Sequence, residues 1–173
     1  AIKTAAWTAN TSSKALVESS PESLLAAYDR LSAWVSGFVV QELIVGSDED
    51  HYTWDCYVSA DGTPLATFTT RKIRQWPTGT GQGCLSVEHR DEQVRDLTLG
   101  VLAAAGHYGQ GYLETKRDTR TGRHMIIEAN VGRPTGRAAA AERAGVELLM
   151  SMYCDLVGAP LPAERTQRYV GTK

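Results

Sequence analysis

Three oxygen-bearing side chains in one short stretch of the chain could hold a metal ion. Glu114 precedes a turn, and Glu128 and Asn130 follow it, at the end of an apolar run that includes Ile126 and Ile127. Alternate residues of a strand point to the same face, so Glu128 and Asn130 share one face. Carboxylate and amide oxygens suit Mg²⁺, which is typically bound by one or two carboxylates together with substrate phosphates. The stretch therefore predicts a Mg²⁺ site if Glu114 faces the same side.

The element that must position these side chains is a hairpin of two strands joined by a tight turn, within residues 111–133. Paired strands give ligands a rigid support, which a loop does not. By simple alternation His124 lies on the face of Glu128 and Asn130, as a neighbour of the site rather than a ligand. The alternative is an ordinary hairpin with exposed acids on its edges, and the hairpin alone does not decide between the two interpretations.

The composition indicates one globular domain or two small lobes. The chain has 173 residues, of which 42% are hydrophobic, and a net charge of −2. We find no basic patch of the kind that nucleic-acid binding needs, no apolar run near the roughly 18 residues of a membrane span and no signal peptide. Cys56, Cys84 and Cys154 are odd in number and widely spaced. The cysteines favour reduced thiols in a cytoplasmic protein. Because we find neither a basic patch nor a membrane span, we expect no nucleic-acid partner and no membrane partner.

Periodicity and turn signals predict an α+β order of elements rather than a regular strand–helix alternation. A helix is expected to begin at the cap Ser20 with Pro21 in its first turn, and an Asp-Gly pair at Asp61 predicts a hairpin turn. We expect strands at 1–6, 14–18, 38–44, 52–59, 65–74 and in the hairpin 111–130, and helices at 20–37, 91–105, 136–144 and 146–157. Residues 76–83 are expected to form a mobile loop.

The acid on one strand, followed by an apolar strand that closes on Glu-x-Asn, resembles the metal-binding end of the ATP-grasp ligases. The sequence is most similar to their carboxylate–amine ligase and carbamoyl-phosphate-synthase-like branch. The resemblance implies an ATP-grasp domain at 1–162, with a small lobe at about 1–43 and a larger lobe at about 44–162, and a C-terminal tail at 163–173. It implies antiparallel sheets with helices packed on one side. Family members carry a further N-terminal region, so we expect a partial domain of a longer enzyme.

The resemblance also assigns the nucleotide-binding residues. Lys3 matches a strand lysine that contacts phosphate, and the loop at 7–13 matches one that covers the phosphates, although it lacks glycine. Adenine is expected at the hinge between lobes, formed by Gln41, Glu42, Leu43 and Ile44. Asp48, Glu49 and Asp50 fall where the family places an acid that binds ribose, and Asp48 has the closest spacing.

Basic residues are the expected catalytic groups. Lys72 and Arg74 share a face by the period of two of a strand, and two cations there suit a phosphoryl group or a substrate carboxylate. The resemblance implies that a basic residue near Lys72 contacts phosphate or the acyl phosphate. Arg133 follows the Glu-x-Asn motif one position later than in relatives, where an arginine neutralises a carboxylate or stabilises phosphoryl transfer. Arg137 is a weaker candidate.

The implied reaction is ATP- and Mg²⁺-dependent ligation. A carboxylate attacks the γ-phosphate to give an acyl phosphate, and an amine or similar nucleophile then displaces phosphate. The expected partners are the nucleotide, small-molecule carboxylate and amine substrates whose identities stay open, and the N-terminal region of the parent enzyme, without which we expect no activity. A homodimer also stays open. The alternatives are a nucleotide-binding module without catalysis and an α+β interaction domain that binds no nucleotide.

Overall fold

The computed structural model describes residues 2–4, 15–33, 37–79, 81–132 and 136–168. Its strands are β1 (Ile2–Thr4), β2 (Ala15–Leu16), β3 (Phe38–Val40), β4 (His51–Val58), β5 (Pro64–Trp76), β6 (Gln82–Glu88), β7 (Gly109–Arg117) and β8 (His124–Val131). Its helices are α1 (Pro21–Ser32), α2 (Glu92–Ala104), α3 (Gly136–Arg143) and α4 (Leu148–Val157), with a short 3-10 helix at Asp48–Asp50. This is the predicted α+β class. None of the described helices has the length and apolar character needed to cross a membrane.

The strands form two antiparallel sheets. A three-stranded sheet has the order β2-β1-β3, and a five-stranded sheet has the order β6-β5-β4-β7-β8. Beside the small sheet, α1 begins as predicted, because the Ser23 amide donates to the Ser20 hydroxyl oxygen at 3.1 Å. The Tyr28 ring of α1 lies 5.1 Å from the Phe38 ring of β3, which packs the helix on this sheet.

The central strand β4 is buried on both of its faces. One face packs against α2 in a cluster of Tyr52, Trp54, Cys56, Val58, Val94 and Leu102. The other face packs against α3 and α4 in a cluster that includes Tyr57, Phe68, Ala138, Ala141, Val146 and Leu148. Helices therefore lie on both faces of the sheet, where the sequence had suggested one side. The reason is that the even-numbered residues of β4 make one face apolar, while Tyr57 of β4 with Ala66 and Phe68 of β5 make an apolar patch on the other, and each apolar surface needs a cover.

The strand β6 is missing from the sequence-based prediction, which placed a mobile loop at 76–83. The structure instead extends β5 to Trp76 and begins β6 at Gln82. β6 forms an edge of the sheet, and its first four residues are exposed. Only Leu85 to Glu88 alternate apolar and polar residues, and this short pattern follows Gln82 and Gly83, which are typical of a loop.

Part of the predicted C-terminal tail lies against β5. The Thr67 amide donates to the Arg165 carbonyl at 3.1 Å, and Thr67 forms a parallel bridge with Thr166. The Gln167 side chain accepts from the Thr69 amide at 3.0 Å and donates to the Thr69 carbonyl at 2.9 Å. β6 pairs with β5 only from Thr70 onward. The C-terminal segment therefore pairs with the part of β5 that β6 leaves open.

Candidate functional site

The hairpin of β7 and β8 brings the three predicted metal ligands to one face of the sheet. Glu114 lies directly opposite Glu128, and Tyr112 lies opposite Asn130. Side chains at such positions have Cβ atoms about 4.5–5.5 Å apart, so the two carboxylates adjoin. The Asn130 Nδ2 donates to Glu128 Oε1 at 3.0 Å. Their shared face is a feature of the structure, and their role as metal ligands stays a prediction.

A β-bulge lies directly beside these acids. Glu114 pairs with Glu128 while Thr115 pairs with Ile126, so Ile127 is an extra residue in β8. Because of this extra residue, the side chains of β8 before Ile127 point to the face opposite to the one that simple alternation predicts. The His124 ring packs on Tyr52 with centroids 4.8 Å apart, on the side of the sheet that α2 covers. Simple alternation had placed His124 with Glu128 and Asn130, and that prediction is wrong because of the extra residue.

Glu114 is the centre of a buried ion cluster. Its side chain is 14% exposed, its Oε1 accepts from Lys72 Nζ at 3.1 Å, and its Oε2 accepts from an Arg137 amino group at 3.0 Å. Burial acts to raise the pKa of Glu114, but the charges of Lys72 and Arg137 outweigh it and hold this pKa below its ordinary value. Glu114 is therefore ionised at neutral pH, with both of its oxygens engaged by cations.

A second bulge places Gln75, and not Arg74, beside Lys72. Lys72 pairs with Ser86 and Arg74 pairs with Leu85, which breaks the alternation between them. Lys72 Nζ donates to Gln75 Oε1 at 3.1 Å. Arg74 is exposed and lines none of the cavities at this face. The prediction that Lys72 and Arg74 share a face is therefore wrong, because it assumed regular alternation.

Arg137 is the residue that sequence reasoning undervalued. It stands at the start of α3, its Nε donates to Thr53 Oγ1 at 2.9 Å, and its guanidinium carbon lies 4.8 Å from the centre of the Tyr112 ring. Together with the Glu114 contact, these interactions hold the guanidinium over the sheet. A basic residue just after a glycine at a helix start was the only local signal. Thr53 and Gln75 gave none.

The predicted hinge lines a cavity that it shares with Lys72, Glu114 and Arg137. Gln41 to Ile44 follow β3 with no helix or strand of their own. Ile44 is buried and Leu43 is exposed, so the two offer apolar surface beside a backbone that takes no part in a described sheet. The Glu42 side chain forms an ion pair with Arg120 at 2.9 Å. The segment has the features expected of an adenine site, and its role stays a prediction.

The three acids after the hinge have different partners. Glu49 forms an ion pair with Arg71 at 2.7 Å, and the buried Asp50 forms one with Arg117 at 2.9 Å. Asp48 instead accepts a hydrogen bond of 2.7 Å from the Gln75 amide. Of the three, Asp48 is therefore the acid that connects to Lys72 through Gln75. Asp48 is not among the residues that line the cavity beside Gln75 and Lys72, and its ribose contact stays a prediction.

Residues of the hinge and of the five-stranded sheet line one cavity, whose volume is about 540 Å³. Its lining includes Gln41, Glu42, Leu43, Ile44, Lys72, Gln75, Glu114, Glu128, Asn130 and Arg137. Cavities of about 300–1,000 Å³ are typical of small-molecule and cofactor sites. The lining of this cavity combines the apolar side chains of Leu43 and Ile44 with the acids and cations of the sheet.

His51 also lines this cavity, and it is uncharged at neutral pH. Burial and the neighbouring Lys72 charge lower the pKa of His51 to about 4, against a smaller opposing effect of Glu114. Across the strand pair, Lys116 has a pKa below its ordinary value, chiefly because of burial. The positive charge at this face therefore comes from lysine and arginine and does not depend on histidine protonation.

The fold is related to known structures although the sequence alone finds no relative. No family model and no curated protein sequence matches the chain. It is similar to the pyruvate carboxylase T882A variant of Rhizobium etli bound to acetyl coenzyme A, with TM-score 0.57, 18% identity and coverage of 80% of this chain and 13% of that one. It is also similar to biotin carboxylase of Campylobacter jejuni in complex with β,γ-ATP, with TM-score 0.56, 16% identity and coverage of 82% and 32%.

A third similar structure is the ATPase subunit of phosphoribosylaminoimidazole carboxylase from Aquifex aeolicus. Its TM-score is 0.55 at 13% identity, and the match covers 72% of this chain and 37% of that one. The chain has the ATP-grasp fold. It spans between 13% and 37% of the length of these three proteins. The ATP-grasp fold therefore extends over most of the chain, which corresponds to part of each larger protein.

Some predicted ATP-grasp residues lie outside the described structure. Arg133 and the loop at 7–13 belong to the ranges that are not described, and of Lys3 only the backbone position in β1 is described. Their predicted roles in binding phosphates or the acyl phosphate stay predictions.

The donor set of the ATP-grasp hairpin fits Mg²⁺. Within the described ranges, no group of three or more His, Cys, Asp or Glu side chains forms a metal site. Glu114, Glu128 and Asn130 offer a different set, two carboxylates and one amide oxygen. Such a set is too small to enclose a metal, but it suits an ion that takes its other ligands from water and substrate phosphates.

Proposed function

We propose that this chain is the nucleotide-binding part of an ATP- and Mg²⁺-dependent ligase that activates a carboxylate for attack by an amine or a similar nucleophile. One observation carries the proposal. The oxygen ligands Glu114, Glu128 and Asn130 share a cavity with the cations Lys72 and Arg137, and the hinge segment, which belongs to no described strand, lines the same cavity.

In this proposal each part of the cavity binds a different part of ATP. The backbone at Gln41 to Leu43 offers a donor and an acceptor to the adenine edge, with apolar contact from Leu43 and Ile44. Asp48, held by Gln75, accepts from a ribose hydroxyl. Lys72 binds phosphate as a point charge. In this proposal the apolar hinge receives the base and the charged sheet residues receive the phosphates, which suits a nucleotide whose two parts differ in the same way.

Glu114, Glu128 and Asn130 would hold Mg²⁺, and the metal, when bound, neutralises charge on the phosphates. Arg137 and Lys72 then orient the substrate carboxylate, since a guanidinium can bind it through two hydrogen bonds. A carboxylate oxygen attacks the γ-phosphorus, ADP leaves, and an acyl phosphate forms. The nucleophile attacks the acyl carbon, and inorganic phosphate leaves. Arg133 is a further candidate for contact with the acyl phosphate. The protein contributes mainly positioning and charge neutralisation.

Calorimetric titration of ATP tests the nucleotide site. We expect binding that strengthens when Mg²⁺ is added, and we expect Glu128→Gln to weaken the Mg²⁺-dependent part by about tenfold while sparing the part seen without metal. Glu92→Gln is the matched control, because Glu92 is an exposed glutamate at the start of α2. Two results would count against the site. One is an ATP affinity that does not change when Mg²⁺ is added, and the other is an ATP affinity that neither Glu128→Gln nor Glu92→Gln changes.

Trapping of the intermediate tests the reaction. Hydroxylamine attacks acyl phosphates to give stable hydroxamates and phosphate. We expect ADP and hydroxamate to form in equal amounts when a longer enzyme that carries the expected N-terminal region is given ATP, Mg²⁺ and a suitable carboxylic acid. ADP without hydroxamate would contradict carboxylate activation. Mg²⁺-dependent ATP binding with neither product, across a broad set of carboxylic acids, would instead identify a nucleotide-binding module without catalysis.

A further inference from the structure

The cavity of about 540 Å³ that is proposed to bind ATP is called the nucleotide cavity below. A groove runs from it along the sheet, between β6 and α3. It consists of two adjoining cavities of about 490 and 280 Å³. The two share Thr70, Cys84, Leu85, Ser86, Gly136 and Ala140 in their walls. The first also shares Lys72, Tyr112 and Arg137 with the nucleotide cavity. A ligand in this groove would therefore reach the place where the γ-phosphate is expected.

The end of the groove next to the nucleotide cavity is positively charged. Lys72 and Arg137 line it, and no acidic side chain of the described residues does. Both cations also hold Glu114, and Arg137 donates to Thr53 as well. An arginine has five N–H donors in a planar fork, so one guanidinium can serve several acceptors at once. This end of the groove therefore suits a carboxylate.

The other end carries a buried carboxylate. Glu88 is 3% exposed, and it is the only acidic side chain among the described residues that line the second cavity. In the register of β5 and β6, Lys72 pairs with Ser86 and Thr70 pairs with Glu88. Two residues along a strand span about 7 Å, so the carboxylate of Glu88 follows the cationic end at close to the length of a small molecule.

Small residues and two hydroxyl groups lie between the two ends, beside the apolar side chain of Leu85. α3 contributes Gly136, Ala139 and Ala140, which leave room beside the sheet, and Thr70 and Ser86 contribute hydroxyl groups. Arg143 also lines the second cavity, and it is exposed whereas Glu88 is buried. The buried charged group at this end is therefore the Glu88 carboxylate, and Lys72 and Arg137 supply charges of the opposite sign at the other end.

We propose that this groove binds the carboxylate substrate and that this substrate is an amino acid, with its carboxylate toward Arg137 and Lys72 and its ammonium group toward Glu88. The inference rests on the proposed function, because it identifies the class of carboxylate that ATP activates. In the first step an oxygen of the amino acid carboxylate bonds to the γ-phosphorus and ADP leaves. The ammonium group stays protonated on Glu88 and does not take part.

Alkylation of Cys84 by iodoacetamide reports occupancy of the groove. Cys84 is exposed and lines both cavities, whereas Cys56 and Cys154 are buried, and burial raises the pKa of the Cys56 thiol to about 12. We test the common amino acids one at a time on this chain, with ATP and Mg²⁺ present. Propionate and ethylamine are the controls, because each lacks one of the two charges.

We expect at least one amino acid to slow alkylation of Cys84 by about fivefold or more at saturation, and we expect neither control to do so. Glu88→Gln should weaken the affinity for that amino acid by about tenfold, which is the usual effect of losing a charge-assisted hydrogen bond. Arg143→Gln should leave the affinity unchanged. If Glu88→Gln does not fold, Ala140→Leu, which fills the groove at a residue that lines both cavities, should abolish protection.

Three results would overturn the inference. They are protection by none of the amino acids, equal protection by propionate, and protection that survives both Glu88→Gln and Ala140→Leu. ATP calorimetry on the same samples separates this failure from failure of the proposed function. Mg²⁺-dependent ATP binding without amino acid protection refutes the substrate class alone, whereas absence of ATP binding refutes the nucleotide site on which both depend.

Discussion

Replacing Asp55 by asparagine should change the pH dependence of stability. Asp55 lies on β4 with its side chain on the face that α3 partly covers. It is 3% exposed, and its Oδ2 has no hydrogen-bond partner among the described residues. Burial raises the pKa of Asp55 to about 7, the Arg137 charge acts to lower it, and Glu114 adds to the increase. The folded protein therefore keeps this carboxyl group protonated at pH values where an exposed aspartate is ionised.

The sign of the effect follows from proton binding. The ordinary pKa is 3.8, so between this value and about 7 the folded state binds more protons than the unfolded state, and stability falls as pH rises. Each pH unit in that window corresponds to about 1.4 kcal/mol. The loss is about 2 kcal/mol at about pH 5 and about 4 kcal/mol at about pH 8. An asparagine side chain cannot titrate, so Asp55→Asn should gain about 2–3 kcal/mol relative to the wild type across this range.

Urea unfolding of both proteins, followed by tryptophan fluorescence from about pH 5 to about pH 8, measures this difference. A constant offset is expected in addition, because the asparagine amide needs a partner that the acid does not, but an offset does not vary with pH. Asp96→Asn on the exposed side of α2 is the matched control and should show no such slope. If the free energy of unfolding of Asp55→Asn minus that of the wild type stays constant or falls as pH rises, the reasoning is refuted.

Three other substitutions test the buried ion pair of Glu114, the Tyr57 hydrogen bond and the pairing of the C-terminal segment with β5. Lys72→Met should lower the free energy of unfolding by about 1–3 kcal/mol, because it leaves the buried Glu114 with fewer cations, and Lys72→Arg should recover most of the loss in the same urea assay. Tyr57→Phe should cost about 1–2 kcal/mol, because the Tyr57 hydroxyl donates to Asp155 at 2.7 Å, and a double-mutant cycle with Asp155→Asn should show coupling. Gln167→Ala should speed hydrogen exchange of the amide that it holds on β5, and an unchanged rate would show that the C-terminal segment does not protect this edge.

The sequence predicts the fold best where a strand or helix carries its own signal. Ser20 and Pro21 mark the start of α1, and the Asp-Gly pair after Ser59 marks a turn in which the Gly62 amide donates to the Ser59 carbonyl at 2.9 Å. Gly62 has φ 86°, a conformation that glycine adopts without strain. The edge strand β6 has a weaker signal, because only Leu85 to Glu88 alternate apolar and polar residues and the first half of the strand does not.

The site was predictable to the extent that its residues are neighbours along one hairpin. Glu114, Glu128 and Asn130 needed only the turn and the period of a strand to come together. Arg74 and His124 were misplaced because each lies beyond a bulge, and a bulge is a property of strand pairing that one strand does not reveal. Arg137 is distant along the chain from Glu114, and only the packing of α3 on the sheet brings the two together.

The ion cluster suggests why nucleotide and metal should bind together. Both oxygens of Glu114 already accept from cations, Lys72 and Arg137, so a metal ion at Glu114 competes with them. A phosphate or carboxylate gives these two cations another partner and releases Glu114 to the metal. Binding of the anion and of the metal therefore favour each other, and by linkage the effect is equal in both directions. On the proposed function, the buried salt bridge holds the cations and the carboxylate in place in the absence of ligand, and the arriving Mg²⁺–ATP exchanges one set of ion pairs for another.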